Sequence, residues 1–259
     1  MKKTALLAAA AAFAAASPAM AHGYVGLEYG AGSIDAPGPD TDSDIWQGEG
    51  AVGFGRAGWG AQVNGAVAAI DSDTGDADAW DLGGHLWWDG GGWRFGGVVA
   101  VTEVDPDIGG GDVTEWAYGI EGTWAVTTNA DLIGSLTAGE SDVDGGGDAD
   151  LWNLDAQGIF FANPNMSFGA LLGFGNVDGG GADSDTFSYG INAEFQPWSA
   201  PISITIAWNG FDIDDSDVTS DVFSIGARWN FGGGTLQERH QSTPFDTHTG
   251  FADRTFGVW

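Results

Sequence analysis

Apolar and polar residues alternate with a period of two along most of the chain beyond residue 22. In the segment 223–231, phenylalanine, isoleucine, alanine and tryptophan occupy every second position, and serine, glycine, arginine and asparagine fill the positions between them. The segment 116–124 has the same arrangement, with tryptophan at both ends of its apolar face. This is the period of a β-strand whose two faces meet different surroundings. The pattern therefore predicts an all-β protein.

The alternating segments belong to a repeat of about 36 residues, and each repeat is expected to form a β-hairpin. An aromatic residue opens the first strand of each repeat: Trp46, Trp80, Trp116, Trp152, Phe187 and Phe223. The residues two positions before these aromatics are Asp44, Asp78, Thr114, Asp150, Asp185 and Asp221. The register predicts a ring of carboxylates above a ring of aromatics at the loop-side rim.

The connections between strands alternate between short and long. Short turns are expected at 56–58, 89–92, 127–129, 163–165 and 197–201. Longer loops, rich in aspartate and glycine, are expected near 33–44, 71–78, 105–113, 141–150, 177–185 and 212–221. With a first strand at 24–29 this makes twelve strands, and an even number joined in this way is typical of outer-membrane barrels. We predict an all-β, 12-stranded antiparallel transmembrane β-barrel with short periplasmic turns and long acidic extracellular loops.

A soluble β-sandwich or barrel is the alternative for such alternation. The apolar face carries tryptophan or phenylalanine at its ends, as expected where rings lie at two lipid–water interfaces. The other face is polar and glycine-rich in every strand, so a dry core built from it would bury unpaired carboxylates at high cost. We therefore expect the apolar face to point outward into lipid.

The two ends of the chain differ from its repeating part. Residues 1–21 are predicted to be a signal peptide, because two lysines, an alanine-rich apolar run and Ala19-Met20-Ala21 follow one another. Cleavage before His22 would leave a barrel at 22–231 and a C-terminal periplasmic extension at 232–259, located in the outer membrane. No later stretch has the roughly 18 to 20 apolar residues that a membrane helix needs.

The composition narrows the range of partners. The chain has 37 acidic and 7 basic residues, a formal net charge of −30, and no cysteine. Such a charge repels nucleic acid and attracts cations, so no nucleic-acid partner is expected. Without cysteine, neither disulfides nor thiolate chemistry is available.

A resemblance to known proteins rests on the signal peptide, the strand pattern over 22–231 and the segment SIGARWNFGGGTLQER at 224–239. Through these features the chain resembles the small porin-like outer-membrane β-barrel proteins of Gram-negative, alphaproteobacterial-type bacteria. The resemblance implies outer-membrane lipid, lipopolysaccharide and the barrel-assembly machinery as partners, and assembly as a homotrimer. The chain departs from the pattern at its end, since the alternating strand stops at Phe231 and the chain continues to Trp259.

The face opposite the aromatics is predicted to line the lumen. Its charged or ionisable members are Glu28, Glu49, Asp81, His85, Arg94, Glu115, Glu121, Asp131, Asp155, Glu194 and Arg228. Such an acidic lining favours cations over anions, although a polar wall whose groups pair locally is an equally good interpretation. Twelve strands imply a narrow bore, which inward glycines such as Gly83, Gly119 and Gly169 are expected to leave clear.

Two functions follow from this lining. The first is a porin-like channel for passive diffusion of small neutral or cationic solutes. The alternative is a structural surface barrel with little or no conductance, whose acidic loops bind divalent cations. Where the barrel closes, Arg228 on the last strand and Glu28 on the first are expected to lie within diagonal reach.

The acidic loops could hold calcium, because closely spaced carboxylates on a glycine-rich backbone are ligands that Ca²⁺ prefers. The predicted weak ligands are Asp142, Asp144, Asp148, Asp150, Asp212, Asp214, Asp215 and Asp217. No loop completes an EF-hand, so a solvated, charge-repelling surface is the other interpretation. No other cofactor is expected.

The chain is not predicted to be an enzyme. Of its four histidines, His85 alone is expected in a strand, on the polar face near Asp81. Four residues along one strand face is too far for a direct hydrogen bond in most geometries. No motif places a serine as a nucleophile.

Overall fold

The computed structural model describes residues 22–35, 40–56, 58–107, 111–179, 181–197, 200–214 and 218–242. The predicted signal peptide and the part of the predicted extension beyond residue 242 lie outside this range. The strands are β1 (His22–Asp35), β2 (Thr41–Arg56), β3 (Trp59–Ser72), β4 (Ala77–Asp89), β5 (Trp93–Pro106), β6 (Val113–Thr127), β7 (Ala130–Val143), β8 (Asp148–Asn163), β9 (Met166–Gly179), β10 (Ala182–Phe195), β11 (Ile202–Ile213) and β12 (Val218–Phe231). One helix, α1 (Leu236–Ser242), follows β12.

The twelve strands close into one antiparallel barrel in which each strand pairs with its neighbours in sequence. Closure occurs between β1 and β12, where Gly23 lies opposite Phe231 and Gly26 lies opposite Arg228. Closing the sheet removes the unpaired edges that an open sheet would expose. The predicted fold, strand number and 36-residue hairpin repeat are confirmed.

The strands extend further toward the acidic connections than predicted. In the segment expected as a loop at 141–150, β7 continues to Val143 and β8 begins at Asp148. The pairing of Glu140 with Asp150 and of Asp142 with Asp148 continues the ladder into this acidic stretch. Aspartate and glycine are poor strand formers by themselves, but pairing to an existing ladder overrides that weak preference. The predicted long loops are therefore partly strand.

The outer face of the barrel is an apolar belt in three layers. Aromatic side chains toward the acidic connections are exposed: Trp46, Trp80, Trp116, Trp152, Phe174, Trp208 and Phe223. The middle layer is aliphatic: Leu27, Val63, Leu82, Val99, Ile120, Leu136, Leu154, Leu172, Ile191, Ile206 and Ile225. A second aromatic layer lies toward the short turns: Phe54, Trp59, Trp88, Trp93, Phe95, Trp124, Phe160, Phe168, Phe195 and Trp229. Soluble monomers rarely expose a continuous apolar surface of this extent, and this layering is that of a transmembrane barrel.

The inner face is mostly polar, but it also contains two apolar clusters that the sequence pattern did not predict. One contains Ile45, Ala68, Ile70 and Val222 and lies toward the acidic connections. The other contains Trp87, Ile133, Ile159 and Phe161, together with Leu236 of α1. The expectation of a polar inner face in every strand is therefore wrong at both ends of the lumen.

The chain turns back after β12 and enters the end of the barrel that carries the short turns. Gly232, Gly233 and Gly234 all have positive φ, at 94°, 76° and 89°, which is a conformation that residues with a Cβ rarely adopt. Thr235 and Glu238 then form a reciprocal cap: the Thr235 N–H donates to Glu238 Oε2 at 2.8 Å, and the Glu238 N–H donates to Thr235 Oγ1 at 3.2 Å. Hydrogen bonds that the Glu238 carboxylate accepts from the Thr235 N–H and side chain lower the pKa of Glu238 below its usual value. Among the described residues, no helix is long and apolar enough to cross a membrane.

Candidate functional site

The candidate site is the lumen, and the side chains predicted to line it lie inside the barrel. Nine of them are buried: Glu28, Glu49, His85, Glu115, Glu121, Asp131, Asp155, Glu194 and Arg228. Asp81 and Arg94 are half-buried. Asp81 and Glu115 both lie opposite Thr102 of β5, so two carboxylates flank one strand at the same level of the wall. Carboxylates outnumber cationic groups in this set.

Arg228 is the centre of a charged cluster beside the seam. Its Nε donates to Glu49 Oε1 at 2.7 Å, and its Nη1 lies 3.7 Å from Glu194 Oε2. Its guanidinium carbon lies 4.5 Å from the centre of the Tyr24 ring, a cation–π distance. A Cβ on Gly26 would lie 2.6 Å from Glu49 Oε1, so this glycine leaves space for the ion pair to cross β1.

The seam itself forms where it was predicted. Glu28 lies opposite Gly226, two positions from the pair formed by Gly26 and Arg228, which is the expected diagonal arrangement. Sequence spacing alone did not identify Glu49 and Glu194, which lie on β2 and β10 and contact Arg228 over the intervening strands.

A second buried cluster surrounds His85. Its Nδ1 lies 2.9 and 3.0 Å from the two oxygens of Glu121, and its Nε2 lies 2.6 Å from Asn64 Oδ1. The side chains of His85 and Glu121 are completely buried. The two residues are 36 positions apart, which is one repeat of the sequence. Residues one repeat apart therefore meet across the lumen wall.

Polar side chains in the middle of the lumen wall are buried. Gln47, Gln62, Thr137 and Ser224, like Glu121, are each no more than 3% exposed. The inward glycines accommodate neighbouring side chains: a Cβ on Gly83 would lie 2.7 Å from the Asn64 amide oxygen, and one on Gly169 would meet Asn192. At Gly119 it would collide with the backbone of β7. The expectation that these glycines leave the bore clear is therefore wrong.

The rim predicted from the repeat lies on the outer wall. Five of its six aromatics are exposed, and Phe187 is half-buried, with its ring centre 4.9 Å from that of Phe174. Asp44 accepts a hydrogen bond from the Tyr29 hydroxyl, and the Tyr29 and Trp46 ring centres lie 5.0 Å apart. This rim unit combines a carboxylate, a hydroxyl and two rings, groups that suit a lipid–water boundary.

Carboxylates crowd the acidic end of the barrel. A cavity of about 750 Å³ there is lined by residues that include Asp42, Asp44, Asp71, Asp73 and Asp221. In the connection between β5 and β6, the charge of Asp105, followed by burial and by the charges of Asp144 and Glu103, raises the pKa of Asp112 above its ordinary value. The raised pKa shows that negative charges repel one another at this end.

The predicted calcium ligands are not assembled into a site in the described part of the chain, where no three carboxylates or histidines are grouped to hold a metal ion. Asp215 and Asp217 lie outside the described residues. Calcium binding by these connections stays a prediction.

Two groups of side chains bear on catalysis. His85 contacts Glu121 and Asn64. Near the short turns, the Ser203 hydroxyl donates to Glu194, and His240 Nε2 lies 3.5 Å from the other oxygen of Glu194. This second group places the carboxylate between serine and histidine, whereas a nucleophilic triad needs the imidazole in the middle. His22, which was not expected in a strand, is the first residue of β1.

Several lumen residues were not identified from the sequence. Asn64 and Tyr24 contact the two charged clusters, Trp87 is the buried inward tryptophan of β4, and Arg239 and His240 enter from α1. The capping pattern Thr235-x-x-Glu238 and the three glycines before it were the signals that could have revealed α1.

Comparison with known proteins links this chain to outer-membrane barrels through fold alone. No family model matches the chain, and no curated protein matches it. Among solved structures, an outer-membrane channel of Pseudomonas putida F1 aligns with a TM-score of 0.59 and 12% identity, covering 82% of this chain and 95% of that one. The β domain of the Bordetella autotransporter BrkA aligns with a TM-score of 0.56 and 15% identity, covering 81% and 100%. The KdgM porin aligns with a TM-score of 0.50 and 10% identity, covering 80% and 99%.

Proposed function

We propose that this protein is an outer-membrane channel through which small neutral or cationic solutes diffuse passively. The observation that carries the proposal is the excess of carboxylates over cationic groups among the inward side chains. In a confined lumen with low-dielectric walls, such an excess raises the local cation concentration and repels anions. The outer belt of two aromatic layers around an aliphatic layer supports a location in the outer membrane.

Non-enzymatic function is part of this proposal. The His85 imidazole lies between the Glu121 carboxylate and the Asn64 amide, and in the second group the Glu194 carboxylate lies between the Ser203 hydroxyl and the His240 imidazole. Two of the structural neighbours described above are a channel and a porin, which is consistent with transport.

A structural barrel with little conductance is the second candidate. It is favoured by the burial of the mid-lumen side chains, since Gln62, His85 and Glu121 are each only 2% exposed. An open porin would hydrate such groups. The two candidates therefore differ in one measurable property, which is ionic current through the purified barrel.

Ion selectivity tests the first proposal. The purified chain, folded into planar lipid bilayers under a potassium chloride gradient, is expected to conduct with a reversal potential of cation-selective sign. The double variant Asp81→Asn with Glu115→Gln should move that potential toward zero, because it removes two inward charges at one level. The matched control is Glu103→Gln with Glu140→Gln, which removes two charges from the outer face and should leave the potential unchanged. Anion selectivity, or no current from any form, would overturn the proposal.

A further inference from the structure

We infer that residues 232–242, here called the plug, close the short-turn mouth of the lumen and must move aside for solutes to pass. The short-turn mouth is the end where β2 connects to β3, β4 to β5, β6 to β7, β8 to β9 and β10 to β11. The inference rests on the proposed channel function and assigns a gate to it. It is carried by the contacts that α1 makes inside the barrel.

The apolar side of the plug fills a pocket in the barrel wall. Leu236 is 2% exposed and packs with Trp87, Ile133, Ile159 and Phe161 of β4, β7 and β8. These four are inward residues near the strand ends, so the barrel presents an apolar surface at this level in place of a polar lining. An inward apolar surface has no role in a water-filled passage and gains stability when Leu236 covers it.

The polar side of the plug bonds to the turns and to the charged lumen. The Gln237 N–H donates to the Pro164 carbonyl at 3.0 Å, and its side-chain amide donates to the Thr128 carbonyl. Arg239 donates to Gln196, and His240 lies 3.5 Å from Glu194. The plug is thereby held by groups that surround the mouth, and through Glu194 it joins the Arg228 cluster.

The plug depends on the barrel for its order. A seven-residue helix is too short to be stable alone in water, where roughly 12 to 15 residues are needed. The reciprocal cap formed by Thr235 and Glu238 fixes only its first turn. Loss of the lumen contacts should therefore unfold α1 and free the segment from the mouth.

A hinge connects the plug to β12. A Cβ on Gly233 would have no heavy atom within 4 Å, so space does not demand a glycine there. The backbone φ of 76° at Gly233 is what requires a glycine, because a β-branched residue is strongly disfavoured in that conformation. The glycines are needed to turn the chain back into the barrel, which is what a plug requires.

The plug leaves a gap on one side of the mouth. A cavity of about 620 Å³ lies between α1 and the wall of β5 to β7, where Gln241 faces Arg94, Thr123 and Asp131. Gln241 is hydrogen-bonded to Asp131 there, so this contact would have to break if the mouth opened on that side.

Two pairs of variants test the gate by single-channel recording of the full chain. Leu236→Asp places a charge in the apolar pocket and should raise the open fraction, whereas Leu236→Met keeps the packing and should not. Gly233→Val strains the hinge without a steric clash and should raise the open fraction about tenfold. Gly147→Val, also in open space but without the positive φ, is its control.

A labelling assay reports on the plug without relying on current. The chain has no native cysteine, so Ser203→Cys provides a single thiol at a position that is fully buried beside Glu194. A small thiol reagent should modify it faster in the Leu236→Asp and Gly233→Val backgrounds than in the otherwise unchanged chain, with circular dichroism confirming an intact barrel.

The outcomes separate the gate from the channel. Higher open fraction with faster labelling in both disrupting variants supports the plug. Equal current and equal labelling in all forms would overturn the plug while leaving the channel proposal intact. Absence of current from every form would overturn both, since a gate needs a path to close.

Discussion

The two mouths of this barrel are built on opposite principles. At the short-turn mouth, apolar side chains, hydrogen bonds and ion pairs all involve α1. Its buried Arg239, for example, donates a hydrogen bond to Gln196. At the acidic mouth, the charges of Asp105, Asp144 and Glu103 help to raise the pKa of Asp112. Other aspartates line a cavity there together with the exposed aromatics Trp208 and Phe223. Burial and pairing around α1 stabilise the first end, whereas carboxylates repel one another at the second. If the proposed channel and plug are correct, the barrier to solutes lies at the short-turn mouth.

The largest loss of stability is expected when the ion cluster near the short-turn mouth is broken. Arg228→Ala removes the cation that pairs with buried Glu49 and lies 3.7 Å from Glu194, which should cost about 4 kcal/mol of unfolding free energy. Arg228→Lys keeps the charge but loses the forked geometry and should cost less. Urea unfolding followed by tryptophan fluorescence in lipid vesicles measures both. A loss below about 1 kcal/mol for Arg228→Ala would show that the cluster is not structural.

A smaller loss of stability is expected from a substitution in the apolar pocket of the same mouth. Phe161 is 2% exposed and contacts both the cluster around Leu236 and the His240 ring, at 5.7 Å between ring centres. Phe161→Ala should cost about 3 kcal/mol and should also release the plug, whereas Phe161→Leu should cost about half as much. The same unfolding assay, together with the labelling of Ser203→Cys, measures both effects. A loss of stability without faster labelling would show that Phe161 does not hold the plug in place.

The smallest change in stability is expected at the acidic mouth, where the substitution should stabilise the protein. The pKa of Asp112 is raised in the folded protein, so its ionised form weakens the fold once the pH exceeds the unfolded value near 3.8. Asp112→Asn should therefore raise the melting temperature slightly at neutral pH and low salt. The gain should vanish below that pH, where the carboxyl is protonated in both states, and in high salt, where repulsion is screened. A gain that persists in both conditions would contradict charge repulsion as its cause.

The sequence was sufficient to predict the barrel but not the side-chain contacts and the helix inside it. The period-two alternation and the 36-residue repeat predicted twelve strands, their facing and the rim aromatics, because these depend on local pattern alone. The ends of β7 and β8 were misjudged, since ladder pairing extended the strands through residues with low strand preference. The aspartates of those ends were then assigned to loops.

Contacts between side chains two strands apart on the lumen wall were harder to predict because they depend on the stagger of a closed sheet. His85 and Glu121 lie one repeat apart, so the repeat held that information once the register was known. Inward glycines were misinterpreted as empty space, although Asn64 and Asn192 fill the space beside Gly83 and Gly169. Helix α1 was overlooked because its seven residues show no extended periodicity and its order comes from the barrel.

The most direct test of the account is the reversal potential of Leu236→Asp in a bilayer with a tenfold potassium chloride gradient. This variant should open the short-turn mouth while leaving the carboxylates of the lumen in place. We expect sustained current with a reversal potential of cation-selective sign. A silent barrel, or a potential of anion-selective sign, would contradict it.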